Sequence, residues 1–211
     1  SLVGGSCEEA VEIETAGVTL QSATPGAGVI DAPPGAIGIR VEADDVHVVG
    51  LTVRASLEGV RVAPEDSDRS IYRVHLQSLL VEAPIGSEKI SGKAIVLRDT
   101  YDSIVEGSIV RQAKLDGIAV QTSEINGTVG GGRNWVHNNL VTDCGEWGIR
   151  VRSEIAAFTN VANLVSSNTV HGNGTTTAQG GIAFQNATGE IRNNIVTSNS
   201  GRGIKTNTLP L

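Results

Sequence analysis

The sequence predicts an all-β chain wound as one right-handed parallel β-helix, a single-stranded solenoid of about seven coils in a single domain over residues 1–211. Three observations predict it. A short motif recurs along the chain: glycine, a β-branched residue, a variable residue, an apolar residue. A second pattern, apolar-x-x-polar-x-Val, falls between successive copies. The composition is one of turns and short strands, with 26 glycines, six aromatic residues and no methionine.

The copies are Gly38-Ile39-Arg40-Val41, Gly59-Val60-Arg61-Val62, Ala94-Ile95-Val96-Leu97, Gly117-Ile118-Ala119-Val120, Gly148-Ile149-Arg150-Val151, Gly181-Ile182-Ala183-Phe184 and Gly203-Ile204-Lys205-Thr206. Their spacings of 21, 35, 23, 31, 33 and 22 residues set the minimal coil and show which coils carry insertions. Period-two alternation marks half-buried strands. One coil cannot bury its apolar side alone, so coils stack at roughly 4.8 Å per step and align Ile on Ile. A β-sandwich also alternates, but hairpins do not require the same side chain at the same phase of every repeat.

The second pattern is clearest in Val136-x-x-Asn139-x-Val141, Val165-x-x-Asn168-x-Val170 and Ile191-x-x-Asn194-x-Val196. Asn139, Asn168 and Asn194 then form an internal amide ladder, and asparagine also tolerates the left-handed backbone of a sharp bend. Residues 1–20 are expected to hold an N-terminal cap and the first coil, with Cys7–Ile13 as a capping helix or strand.

A formal charge of −7 and a pI near 5.1 give no global reason to expect nucleic acid or an anionic membrane as partner. No apolar run reaches membrane-span length, so no membrane insertion is expected. Cys7 and Cys144 fall on distant coils, which argues against a disulfide. Ser1 in place of an initiator Met leaves room for a removed leader or upstream domain.

Three insertions, Pro64–Ser70, Ser123–Arg133 and Ser153–Asn160, leave the coils at one corner and wall one side of a groove. A second corner carries Ala83–Gly92 and His171–Gly180. The third and fifth residues of each motif point outward and make a strip containing Arg40, Arg61, Arg98, Gln121, Arg150, Arg152 and Lys205, six of the sixteen basic residues. Either these arginines pair with a nearby carboxylate column, Glu65, Asp99, Glu124 and Glu154, or they form a groove for an elongated acidic ligand, since guanidinium forks match carboxylate and sulfate geometry.

The densest chemistry lies where Asp116 and Trp147 stand at the same phase before Gly117 and Gly148, with Glu146 alongside. Asp116 and Glu146 are a candidate acid/base pair for glycosidic cleavage, with Arg150 and Arg152 completing a candidate catalytic group; an arginine base would need a strongly altered environment. Trp147 is a candidate sugar platform, joined in binding by Arg40, Arg61, Arg98, Gln121 and Lys205. The plainer alternative is that Trp147 closes an apolar corner and Asp116 caps a turn. The four histidines lack metal-ligand spacing and no cofactor is expected; calcium is the one ion that Glu65, Asp99, Glu124 or Glu154 would suit, without a loop motif to support it. Three glycosylation sequons, at Asn126, Asn173 and Asn186, have meaning only in a eukaryotic secretory host.

The stretch Gly38-Ile39-Arg40-Val41-Glu42-Ala43-Asp44-Asp45-Val46-His47-Val48-Val49-Gly50-Leu51-Thr52-Val53 resembles the carbohydrate-binding and sugar-hydrolase repeats of right-handed β-helix proteins, and the later coils look like the pectate-lyase-type repeat. The resemblance covers nearly the whole chain. It implies extracellular, periplasmic or cell-surface proteins that cleave, epimerise or bind polysaccharides. Polygalacturonases of that superfamily carry Asn-Thr-Asp-Gly, Asp-Asp, Gly-His-Gly and Arg-Ile-Lys; here Asp116-Gly117 resembles part of the first and Ile204-Lys205-Thr206 the tail of the last, whereas Glu146-Trp147 and Gly180-Gly181 stand at the middle two.

The expected function is thus a β-helix that engages an acidic polysaccharide along its arginine strip, with cleavage by a lyase or hydrolase reaction left open. The alternative is a non-catalytic carbohydrate-binding module or a structural repeat of a larger surface protein. No feature of the sequence sets an oligomeric state.

Overall fold

The computed structural model describes residues 5–24, 26–66, 68–125, 128–154 and 162–207. Its strands return in a fixed order to three parallel sheets, the pattern of a chain winding around one axis. The first sheet runs from Gly5–Cys7 through Leu51–Arg54 and Leu140–Thr142 to Ile195–Thr197. The second runs from Val11–Ile13 through Ile37–Val41, Ile118–Thr122 and Trp147–Ser153 to Arg202–Asn207. The third runs from Thr19–Gln21 through His75–Gln77 and Trp135–His137 to Gly189–Arg192. Among the described residues, eight, eight and seven strands make seven complete coils and two sides of an eighth. The segment Cys7–Ile13 is strand at both ends, and Val11, Glu12 and Ile13 lie opposite Ile39, Arg40 and Val41.

The motif's second residue builds the interior. Ile39, Val60, Ile95, Ile118, Ile149 and Ile182 succeed one another in register and are wholly buried. Each such burial is worth about 1.5–3 kcal/mol. Among the described residues no later strand pairs with that of Ile204, which is 51% exposed.

The motif glycine serves close approach rather than a bend. A Cβ on Gly117 would lie 2.5 Å from Val141 Cγ1, and one on Gly148 would lie 2.3 Å from Val170 Cγ1. The glycine and the valine of the second pattern are therefore two halves of one contact between neighbouring coils.

Asn139, Asn168 and Asn194 form the expected ladder: Asn139 Nδ2 donates to Asn168 Oδ1 at 3.0 Å, and Asn168 Nδ2 to Asn194 Oδ1 at 2.9 Å. The left-handed residues at that corner are their predecessors Asn138, Ser167 and Asn193, so the ladder amides are freed for hydrogen bonding. Two further ladders stand at the other corners, Asn134 to Asn163 at 3.2 Å and Asn173 to Asn199 at 3.0 Å. Asn173 is completely buried, which withdraws its sequon in the folded chain.

Candidate functional site

Strand register sets two outward columns on the second sheet. Arg40, Arg61, Val96, Ala119, Arg150, Ala183 and Lys205 lie opposite one another in succession, and Arg98, Gln121, Arg152, Gln185 and Asn207 form the adjoining column. The small side chains at Val96 and Ala119 divide the charges into two groups.

In the first group Arg40, Arg61 and Arg98 border one cleft of about 310 Å³, together with Glu42, Pro64, Glu65, Asp99 and Ser123. Each guanidinium has a carboxylate beside it. Arg40 Nη1 is 3.3 Å from Glu42 Oε1, Arg61 Nε 2.7 Å from Glu58 Oε2, and Arg98 Nε 3.6 Å from Asp99 Oδ2. These arginine side chains are 39–52% exposed while their carboxylate partners are only 4–11% exposed, so each arginine keeps a solvent-facing side that an anion can meet without displacing the buried carboxylate. The corner insertions wall the cleft. Arg69 donates to the carbonyl of Glu42, and Ser70 Oγ donates to Gly130 O at 2.7 Å, tying the first insertion to the second. Residues 155–160 of the third insertion lie outside the described residues, as does the side chain of Glu124. Asp99 accepts from the backbone N and Oγ of Ser123 at 2.6 and 2.8 Å, which gives it a structural task. Among the described residues, no group of three His, Cys, Asp or Glu side chains is arranged to hold a metal.

The second group centres on Arg150. Its Nε and Nη2 donate to Gln185 Oε1 at 3.0 and 2.7 Å, while Nη1 lies 3.3 Å from Glu146 Oε2 and 3.6 Å from Asp116 Oδ2. Asp116 is completely buried; Oδ1 accepts the Trp147 N–H at 3.3 Å and Oδ2 has no hydrogen bond. Burial pushes its carboxyl up to about 6, with Arg150 opposing the shift and Glu146 adding to it. Arg150 Nη1 thus bridges the two carboxylates.

Two expectations need correction. Asp116 has no exposed surface and so does not meet a substrate directly; its Oδ2 lies 3.6 Å from Arg150 Nη1, within the structure. Trp147 is 3% exposed and cannot serve as a stacking platform; it lies opposite Gly180, which has no side chain to push the indole outward. Glu146, Gln121, Arg152 and Lys205 remain partly accessible. Gln185 falls on the outward strip that alternation marks, whereas sequence reasoning missed Glu58 and Lys93 as members. The signal was present, because Glu58 and Lys93 precede Gly59 and Ala94 as Asp116 precedes Gly117. Lys93 Nζ donates to Gln121 Oε1 at 3.4 Å and its charge also acts on Asp116.

A three-sided parallel coil with a charged face along one sheet and a walled cleft at its first arginines defines a right-handed β-helix protein. The chain belongs to the right handed beta helix region family, whose model matches residues 86–209. No curated protein sequence matches it. Among solved structures it is similar to the periplasmic alginate epimerase AlgG, at 13% identity and a TM-score of 0.62, over 90% of this chain and 43% of that one. It is also similar to the Dettilon tailspike protein, at 16% identity and a TM-score of 0.62, over 98% of this chain and 39% of that one. An alginate lyase from Paenibacillus sp. matches at 14% identity and a TM-score of 0.52, over 99% of this chain and 91% of that one. The chain thus spans less than half the length of the epimerase and the tailspike. At these identities the likeness is one of fold.

Proposed function

We propose that this chain binds an acidic polysaccharide lengthwise along its second sheet, with Arg40, Arg61 and Arg98 as the anchoring cleft and Arg150, Arg152 and Lys205 as later contacts. The single observation that carries the reading is the register that sets these cations in adjoining columns along the axis, at a rung spacing of about 4.8 Å suited to a polymer. Two of the structural neighbours are named for alginate, an acidic polymer, and one of them as periplasmic; an extracytoplasmic setting belongs to the same proposal. No helix of the described residues is long and apolar enough to cross a membrane. Binding is preferred to cleavage because Asp116 is sealed and Arg150 is held by three partners.

The test is retention on immobilised alginate and polygalacturonate, with dextran as the neutral control and a parallel assay for reducing ends and unsaturated uronate. Retention on an acidic polymer is expected to weaken with salt and to fall roughly threefold to tenfold for Arg61→Ala, without product. Failure to retain either polymer at low salt, or indifference to Arg61→Ala, overturns the reading. Product release that depends on Glu146 would turn it into an enzyme assignment.

A further inference from the structure

The third sheet carries an array that the arginine groove does not use. His47, His75, Ile104, Trp135 and Leu164 follow one another in one outward column, with Glu106, His137 and Ser166 in the next. Trp135 is 37% exposed and stands outside the buried core. It is nevertheless held firmly. Its Nε1 donates to Ser166 Oγ at 2.9 Å, and its ring stacks on His137 with centroids 3.8 Å apart. His137 is fixed in turn, since Asn138 Nδ2 lies 3.0 Å from Nδ1 while Nε2 lies 3.0 Å from Glu106 Oε2. Glu106 Oε1 meets His75 Nε2 at 2.7 Å.

A surface tryptophan that adds little to the core, yet is locked by a hydrogen bond and a stacked ring, has its ordering entropy already spent before any ligand arrives. The partly exposed Ile104 and Leu164 extend it into an apolar ledge, and Glu106 and His75 supply a polar rim with spare lone pairs. An apolar ledge with acceptors at its edge suits a pyranose, whose C–H face packs on the indole while its hydroxyls donate to the carboxylate. The charge of Glu106 disfavours uronate or sulfate at this place.

We propose that Trp135, with the Glu106 and His75 rim, is a second carbohydrate-contact site that takes an uncharged sugar ring, on a different face from the arginine cleft. The proposal rests on the reading of the chain as a glycan binder, but its test is separate. Tryptophan fluorescence reports the site directly, because Trp135 is exposed and the other tryptophan, Trp147, is buried. The probes are cellohexaose, laminarihexaose and mannohexaose, each titrated to about 20 mM, a range that reaches the weak affinity of a single stacked ring.

At least one hexaose is expected to give a saturable emission change and protection from acrylamide quenching. Binding should be unchanged in Arg61→Ala and in about 0.5 M salt, weakened roughly tenfold or more in Trp135→Ala measured by calorimetry, and largely kept in Trp135→Phe. No saturable change with any of the three, or binding that survives Trp135→Ala, overturns the proposal. Loss in Arg61→Ala would assign the sugar to the arginine cleft and also overturn it. Loss of acidic-polymer retention with hexaose binding intact would sink the main reading while leaving this one standing.

Discussion

Asp116 offers the sharpest perturbation because burial and charge can be separated by one isosteric change. Its carboxyl is raised from 3.8 to about 6, chiefly by burial. A carboxyl whose folded value exceeds its unfolded one binds its proton more tightly in the native state. Its contribution is therefore fully favourable below about 3.8 and is lost as pH climbs through about 6. A gap of about two units corresponds to about 3 kcal/mol of native-state penalty at pH 8. Asp116→Asn keeps the shape and removes the charge. The variant is expected to match the parent near pH 3, where the carboxyl is neutral in both states, and to exceed it by about 3 kcal/mol near pH 8, roughly 6–12 °C in Tm for a chain of this size. Urea unfolding followed by circular dichroism at the two pH values measures both gaps. A gap that is the same at both, or a variant less stable than the parent at pH 8, would refute the reasoning and show that attraction to Arg150 outweighs desolvation.

Two further substitutions test the stacking itself. Asn168→Ala removes the acceptor of the Asn139 backbone and side-chain N–H groups, both at 3.0 Å, and the donor to Val136 O at 2.9 Å; orphaning these buried groups should cost about 3 kcal/mol or more in urea unfolding, and a loss under about 1 kcal/mol would refute the ladder's weight. Gly148→Ala drives a Cβ to within 2.3 Å of Val170 Cγ1 and is expected to destabilise by about 1–3 kcal/mol; Val170→Ala in the same chain should recover part of that loss, and additive effects would count against the shared contact.

The interior column was legible because a β-helix repeats one side-chain phase per coil, so Ile118, Ile149 and Ile182 could be aligned by motif alone, whatever the insertions between them. The same logic put Arg40 beside Arg61 and Arg150 in line with Lys205. It says nothing of depth. Asp116 and Trp147 share a phase with Glu58 and Lys93, but alternation cannot tell an outward side chain that stays in water from one folded under a neighbour's guanidinium or over a glycine such as Gly180. Two of the three amide ladders escaped notice although Asn134 and Asn163 precede an inward valine by two residues, as Asn139 and Asn168 do. The histidine array was hidden for a different reason. His47, His75 and Glu106 are 28 and 31 residues apart in sequence, a coil of irregular length each time, and no fixed spacing marks them as neighbours. Only the apolar residues between them, Val48, Leu76, Val105 and Val136 at the buried positions of the same strands, carry that register, so an outward cluster on the third sheet has to be found by indexing its inward residues first.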